Sequence, residues 1–390
     1  MSFITHLECC NCKAVHEHRQ VQSVCTRCGR SLLARYDLPL ARKKLSREMF
    51  SKRENSLWRY RELLPVLQDK HIISLGEGCT PLLTLKNLGA SIGFSDLRMK
   101  DESFNATGSF KARGMSVAIS KARELGLEEV CVPTAGNAGG ALAAYGAAAG
   151  MTSRIYMPED TPAINIYECS AYGAEVHRVR GVISDAAKAM NDQMQGKAWF
   201  DLSTLKEPYR LEGKKTLGYE VAEQYGWRLP DVIIYPTGGG TGLIGMWKAF
   251  AEFGELGWID GQRPRMVSVQ SSGCAPIVKA FEAHAESSDV WDNAATIASG
   301  LRVPKAFGDS LILEAVYDSN GCAVAVDDAT IMKTIRLVAG IEGVLLCPEG
   351  AATVAALPLL RANGFVSSTS SILLFNTGSG LKYLEVLQNL

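Results

Sequence analysis

The sequence predicts an α/β protein whose parallel sheets are covered by helices on both faces. Two observations predict it. Beyond residue 95, short continuous apolar runs alternate with helical stretches. Glycine-containing loops then fall between the end of an apolar run and the start of a helix, where folds of this class place their ligands.

Taken in order, strands are expected at 97–100, 129–133, 154–157, 231–235, 266–269, 344–346 and 372–375. Most are continuous apolar runs of the length of a buried strand; Leu97-Arg98-Met99-Lys100 alternates. Helices are expected at 108–125, 141–149, 184–195, 243–253, 328–339 and 351–362, where apolar and small residues recur at helical spacing. The mixed, charged stretch 38–75 reads as a link between a cysteine-rich head and this body. A chain of 390 residues, 47% hydrophobic, has room for two or three domains and a large core.

Charge excludes several classes of function. Lys+Arg and Asp+Glu are both 41, so nothing in the balance draws nucleic acid or an anionic membrane. Met1-Ser2-Phe3-Ile4-Thr5-His6 has neither a basic nor an apolar leader pattern, and no run approaches the ~20 apolar residues of a membrane span. Of the 11 cysteines, five lie before residue 30 and six are scattered singly in apolar surroundings, which reads as reduced thiols in a cytoplasmic protein.

Four loops carry candidate chemistry. In Asn105-Ala106-Thr107-Gly108-Ser109-Phe110-Lys111-Ala112-Arg113-Gly114, a lysine stands where a helix begins. The helix dipole there disfavours a cation and so lowers the lysine's pKa, as a nucleophilic amine requires. Alone, Lys111 reads as a solvated first-turn residue. In Pro133-Thr134-Ala135-Gly136-Asn137-Ala138-Gly139-Gly140, backbone N–H groups can grip a carboxylate and the Asn137 amide can meet a ring oxygen; alone, Asn137 reads as a helix cap.

In Pro236-Thr237-Gly238-Gly239-Gly240-Thr241-Gly242, successive glycines let the backbone approach a phosphate. The loop matches neither nucleotide-binding glycine pattern, so a small phosphate monoester is the expected ligand, with a plain turn as the alternative. In Asn376-Thr377-Gly378-Ser379-Gly380, a hydroxyl can bond a ring nitrogen and leave it largely unprotonated, or simply start a turn. A lysine, an asparagine, a phosphate cradle and a terminal Thr-Gly, in this order at strand ends, are an unlikely coincidence.

With these loops, and with Gly76-Glu77-Gly78-Cys79-Thr80-Pro81-Leu82 and Thr377-Gly378-Ser379-Gly380-Leu381-Lys382, the sequence resembles the fold-type-II pyridoxal-phosphate (PLP) enzymes, and among them the threonine synthases, over nearly its whole length. The resemblance implies two three-layer α/β domains: a large one from 39–95 and 206–390, and a smaller mobile one from 96–205. It implies that Lys111 binds PLP covalently and moves protons. Asn137 would contact the cofactor's phenolic oxygen, Gly238, Gly239, Gly240, Thr241 and Gly242 would hold its phosphate, and Thr377 would bond its ring nitrogen. For the substrate, Thr134, Ala135, Gly136 and Ala138 would grip the carboxylate, while Thr107 and Ser109 would approach the phosphate of O-phosphohomoserine, helped by the charges of Lys111 and Arg113. The implied reaction is γ-elimination of phosphate followed by hydration at Cβ, giving threonine. A homodimer is a further expectation.

Three positions depart from the family pattern: Ala106, Ala112 and Ser379. They leave open a serine or threonine dehydratase, or a β-replacement enzyme, on the same scaffold. A catalytically silent regulatory protein is the alternative from another class, and Lys111 together with its ring contacts argues against it. The role of Arg302 in Ser299-Gly300-Leu301-Arg302-Val303-Pro304 is unassigned.

The head, residues 1–38, holds Cys9-x2-Cys12 and Cys25-x2-Cys28. Two such knuckles offer four thiolates for tetrahedral zinc, so a zinc ribbon is expected there. Cys10 is out of register, and His6, His16 and His18 are expected to be solvated. A ribbon this small depends on its metal to fold.

Overall fold

Six strands form the larger sheet of the computed structural model, which describes residues 2–389. Their order is Cys322–Val326, Arg265–Ser271, Val232–Pro236, Ser371–Asn376, Asp96–Asp101 and Leu82–Thr84. The first five run parallel and only Leu82–Thr84 is antiparallel to its neighbour. The smaller sheet is wholly parallel, in the order Glu175–Val179, Thr152–Pro158, Glu129–Pro133, Phe200–Asp201. Its strands all lie between residues 129 and 201. Asp96–Asp101 pairs along its length with Ser371–Asn376, so the chain crosses to the smaller sheet after this strand and not before it. The boundary expected at 96 therefore falls inside the larger sheet.

Apolar residues pack on both faces of the larger sheet. Ile233, Tyr235, Leu373 and Phe375 face one side; Val232, Ile234, Ile372 and Leu374 face the other. This two-sided burial is what the continuous apolar runs require. The 38–75 stretch contributes Leu38, Ala41, Leu45, Phe50, Tyr60 and Leu63 to the first of these cores, so it is packed structure and not a loose link.

Two expected elements differ. Residues 344–346 make one isolated bridge, Leu346 to Ser379, in place of a strand. Helix Asp328–Glu342 ends at Gly343 (φ 69°) and helix Pro348–Ala355 starts from Cys347, which leaves only three residues between them. The helix expected at 351–362 is two helices, Pro348–Ala355 and Leu357–Ala362, because Pro358 cannot continue the first one's hydrogen-bond ladder.

Helix Tyr209–Gln224 was not predicted at all. It is buried from Tyr209 to Ala222, with Arg210, Glu212, Lys214, Lys215 and Glu220 inside, so charged residues occupy the positions where an apolar stripe was sought. It packs on helix Thr241–Leu256, where a Cβ at Gly245 would lie 2.9 Å from the Lys215 nitrogen. The charges neutralise one another. Lys215 and Lys248 pair with Glu212 (2.6 and 2.8 Å) and with Glu252 (3.1 and 2.8 Å), and Tyr36 of the head donates to Glu212 at 2.7 Å.

The head is a three-stranded antiparallel sheet, Val15–His16, Ile4–Cys9, Leu32–Tyr36. The Sγ atoms of Cys9, Cys12, Cys25 and Cys28 lie within 4.8 Å of one another; Cys10 and the three histidines lie outside the group. Among the described residues no helix is long and apolar enough to cross a membrane.

Candidate active site

All four loops leave the carboxyl ends of strands, and the first, second and fourth meet. The first follows Asp96–Asp101 and the fourth follows Ser371–Asn376, two adjacent strands, so they are stitched together. Phe110 N–H donates to the Thr377 carbonyl (3.0 Å), Ser379 N–H donates to the Gly108 carbonyl (2.8 Å), and Ser109 bridges Gly378. The second loop arrives from the smaller sheet: a Cβ on Gly378 would lie 3.5 Å from both Asn137 Nδ2 and the Ser109 Cβ. Lys111, Asn137 and Thr377 thus converge.

Lys111 is the first residue of helix Lys111–Glu124, as expected. It lies deep in the protein with part of its surface still accessible, and its Nζ stands 3.9 Å from the Phe110 ring centroid. Burial, reinforced by the nearby Arg210 guanidinium, brings its ammonium down to about 8. Lys214 approaches the same ring at 4.3 Å, donates to the Phe110 carbonyl, and is pushed well below the usual lysine range by burial and by Lys111.

Gly240 adopts φ 75° and opens the 16-residue helix Thr241–Leu256. Gly238 packs on the Gly300 carbonyl, and a Cβ on Gly239 would lie 3.0 Å from Thr204 Cγ2, so neither position has room for a side chain. Gly242 faces another way: it lies against the Tyr235 phenol. Thr377 is buried, with its Oγ1 3.8 Å from Cys347 Sγ. The Thr134 hydroxyl accepts the Gly136 N–H at 3.1 Å; Ala135 and Gly136 stay partly accessible, and Ala138 enters the small-sheet core. Of the departures, Ala112 is fully buried in that core, and the Ser379 hydroxyl caps a turn by accepting the Leu381 N–H at 3.3 Å.

One expectation is overturned. Arg113 lies in the interior, away from any anion: Nε meets Glu102 (2.6 Å), Nη1 meets Glu220 (2.5 Å) and Thr216 (3.0 Å), and Nη2 reaches both carboxylates and Thr80. Residues two apart on a helix point in nearly opposite directions, so its nearness to Lys111 in sequence is not nearness in space.

Three residues that the sequence did not flag stand here. Arg210 lies beside Lys111. Glu349 and Cys347, at the start of helix Pro348–Ala355, are close enough to counter the fall in the Lys111 ammonium's pKa. Arg302 pairs with Asp160 at 3.6 Å and Lys382 with Glu168 at 2.7 Å, each joining the larger sheet's unit to the smaller's.

A phosphorylated aromatic aldehyde fits this site. The Lys111 ammonium is lowered to about 8, the glycine cradle has no room for side chains, and two buried polar atoms (Thr107 Oγ1 and Asn137 Oδ1) lack protein partners among the described residues. The profile of the pyridoxal-phosphate-dependent enzymes matches residues 73–378. Threonine synthase of Methanocaldococcus jannaschii is 36% identical over 96% of this chain and 92% of its own length; that of Methanosarcina acetivorans is 34% identical over 97% and 92%. The chain belongs to the threonine synthase family of PLP-dependent enzymes. Solved structures agree on the fold: maize serine racemase superposes with a TM-score of 0.66 at 23% identity, covering 80% of this chain and 91% of its own. Threonine deaminase isoform 2 of Solanum lycopersicum gives 0.66 at 21%, covering 79% and 87%. Both share the fold of this chain.

Proposed function

We propose that the protein converts O-phosphohomoserine and water to L-threonine and phosphate. The observation that carries this reading is a second buried cation beside the amine. A γ-phosphorylated substrate needs an anion site apart from the cofactor's cradle, and Arg210 supports one. Its guanidinium is buried, is close enough to Lys111 to lower that amine's pKa, and bonds through Nη1 to the Leu202 carbonyl and to Thr204 Oγ1 (3.4 Å), with the Glu207 and Asp201 carboxylates as its nearby counter-charges. We assign to Arg210 the role that the sequence gave to Arg113, alongside Thr107 and Ser109.

PLP, when bound, supplies an electron sink for charge developing on the substrate carbons. The chain's own residues do the rest. Backbone N–H groups of Gly238, Gly239, Gly240 and Thr241 would hold the cofactor's phosphate at a helix N-terminus. Asn137 would donate to its phenolic oxygen, and Thr377 would bond its ring nitrogen without a charge. The 134–138 loop grips the substrate carboxylate. Lys111, nearly half unprotonated at a pH just below 8, takes the proton from Cα. Arg210 holds the phosphate as it leaves Cγ.

A side-by-side assay of phosphohomoserine, phosphoserine, serine and threonine tests this. Phosphohomoserine should release phosphate and threonine, and serine and threonine should be at least ~100-fold poorer in kcat/KM, because neither reaches Arg210. Rapid pyruvate or oxobutyrate formation, with phosphohomoserine inert, would make the enzyme a dehydratase.

We also read the head as a zinc ribbon. Four sulfurs around zinc at ~2.3 Å sit about 3.8 Å apart; here Cys9 and Cys28 are 3.4 Å apart and Cys12 and Cys25 3.6 Å. Elemental analysis of protein purified without chelator should find about one zinc per chain. Four freely titratable thiols and no metal would mean that the ribbon folds on its contacts with the body.

A further inference from the structure

Tyr383 follows the fourth loop and is buried. Its hydroxyl stands 3.4 Å from Asn137 Nδ2, so a residue of the larger sheet's unit holds the amide that the smaller sheet's unit presents. The Glu349 carboxyl and the Ser299 hydroxyl flank the same phenol. Glu349 is 4% exposed, its Oε1 accepts the Gly300 N–H at 2.7 Å, and its Oε2 has no well-formed hydrogen bond among the described residues. Gly300 in turn backs Gly238 of the phosphate cradle. Tyr383 therefore sits between the second and fourth loops, with Glu349 and Gly300 linking it to the third.

A phenol has one proton to give. Directed to Glu349 as a carboxylate, that proton leaves the Tyr383 oxygen free to accept one Asn137 N–H, and the second Nδ2 hydrogen then faces the cavity. We propose that Tyr383 is a positioning residue that aims the Asn137 amide at the cofactor's phenolic oxygen, with Glu349 fixing the direction of the hydrogen bond. The inference rests on the reading of the site as a PLP site. The anchor and the amide come from different units.

The test uses holoenzyme: wild type, Tyr383→Phe, Glu349→Gln, Asn137→Ala and the Tyr383→Phe/Asn137→Ala double variant. Cofactor content after alkaline release, and the absorption spectrum of the bound cofactor across pH, are read alongside kinetics. Tyr383→Phe should retain its cofactor, move the pH midpoint of the absorption change by about half a unit or more, and lower kcat roughly tenfold with little change in KM. Glu349→Gln should shift the midpoint in the same direction. In the Asn137→Ala background, removing the phenol should add nothing, since its effect passes through that amide.

A Tyr383→Phe holoenzyme with the wild-type spectrum and midpoint would overturn the inference, whatever its activity. So would an effect that persists in full without Asn137. If Tyr383→Phe fails to fold, an unshifted Glu349→Gln spectrum overturns it equally. A wild-type protein that takes up no cofactor would instead sink the site reading on which the inference rests.

Discussion

Lys111→Ala is expected to fold, to lose covalent capture of the cofactor, and to lose roughly four to six orders of magnitude in turnover, the scale seen when a nucleophile is deleted. Folding should survive because the Lys111 amine anchors little: its marked contact is the Phe110 ring at 3.9 Å. The carbonyl of Phe110 and the helix start are held independently, by Lys214 and by the Thr377 and Gly108 backbone bonds. Turnover should not survive, because no neighbour can replace the amine. Lys214 approaches the same Phe110 ring, but it is fully buried and bound to the Phe110 carbonyl. Cofactor absorbance after gel filtration and single-turnover kinetics check both halves. Turnover within tenfold of wild type, without added amine, would move the catalytic base elsewhere.

The four loops were legible because their signals are local. A glycine run, or a lysine at a helix start, means the same thing in sequence as in space once the preceding strand is recognised. Arg210 was not legible. It sits in helix Tyr209–Gln224, whose buried face is charged, and charge at buried positions erases the apolar periodicity by which helices are found. The only hint was the glycines at 213 and 218, which mark close helix packing. Glu349 and Tyr383 reach the site through the long-range meeting of helix Pro348–Ala355 with the chain after Gly380, and no spacing rule encodes that. Arg302 resisted assignment for the same reason: its partner, Asp160, lies in the other unit.

Arg113 was misread, and the structure turns that error into a second large expected effect. All five of its N–H donors are engaged among Glu102, Glu220, Thr216 and Thr80, and Lys100 adds its ammonium to Glu220 at 2.8 Å. Burial pushes the Glu220 carboxyl up, but Arg113 and then Lys100 pull it further down, so it ends well below the usual carboxylate range; Glu102 is lowered in the same way. A carboxylate whose pKa is depressed by folding stabilises the fold above its unfolded value, and that contribution is lost as pH falls through the folded one. Arg113→Met removes the cation and leaves two carboxylates facing each other in the interior. Unfolding in urea near pH 7 should show a loss of about 3–5 kcal/mol, the cost of stranding buried charge. The deficit should shrink toward acid pH, where the stranded carboxylates take up protons in the variant before they do in the wild type. Molecules that remain folded should turn over phosphohomoserine with a KM within a few-fold of wild type, since Arg113 touches nothing in the cavity. The opposite pattern, wild-type stability with a KM raised a hundredfold, would return Arg113 to the substrate's phosphate.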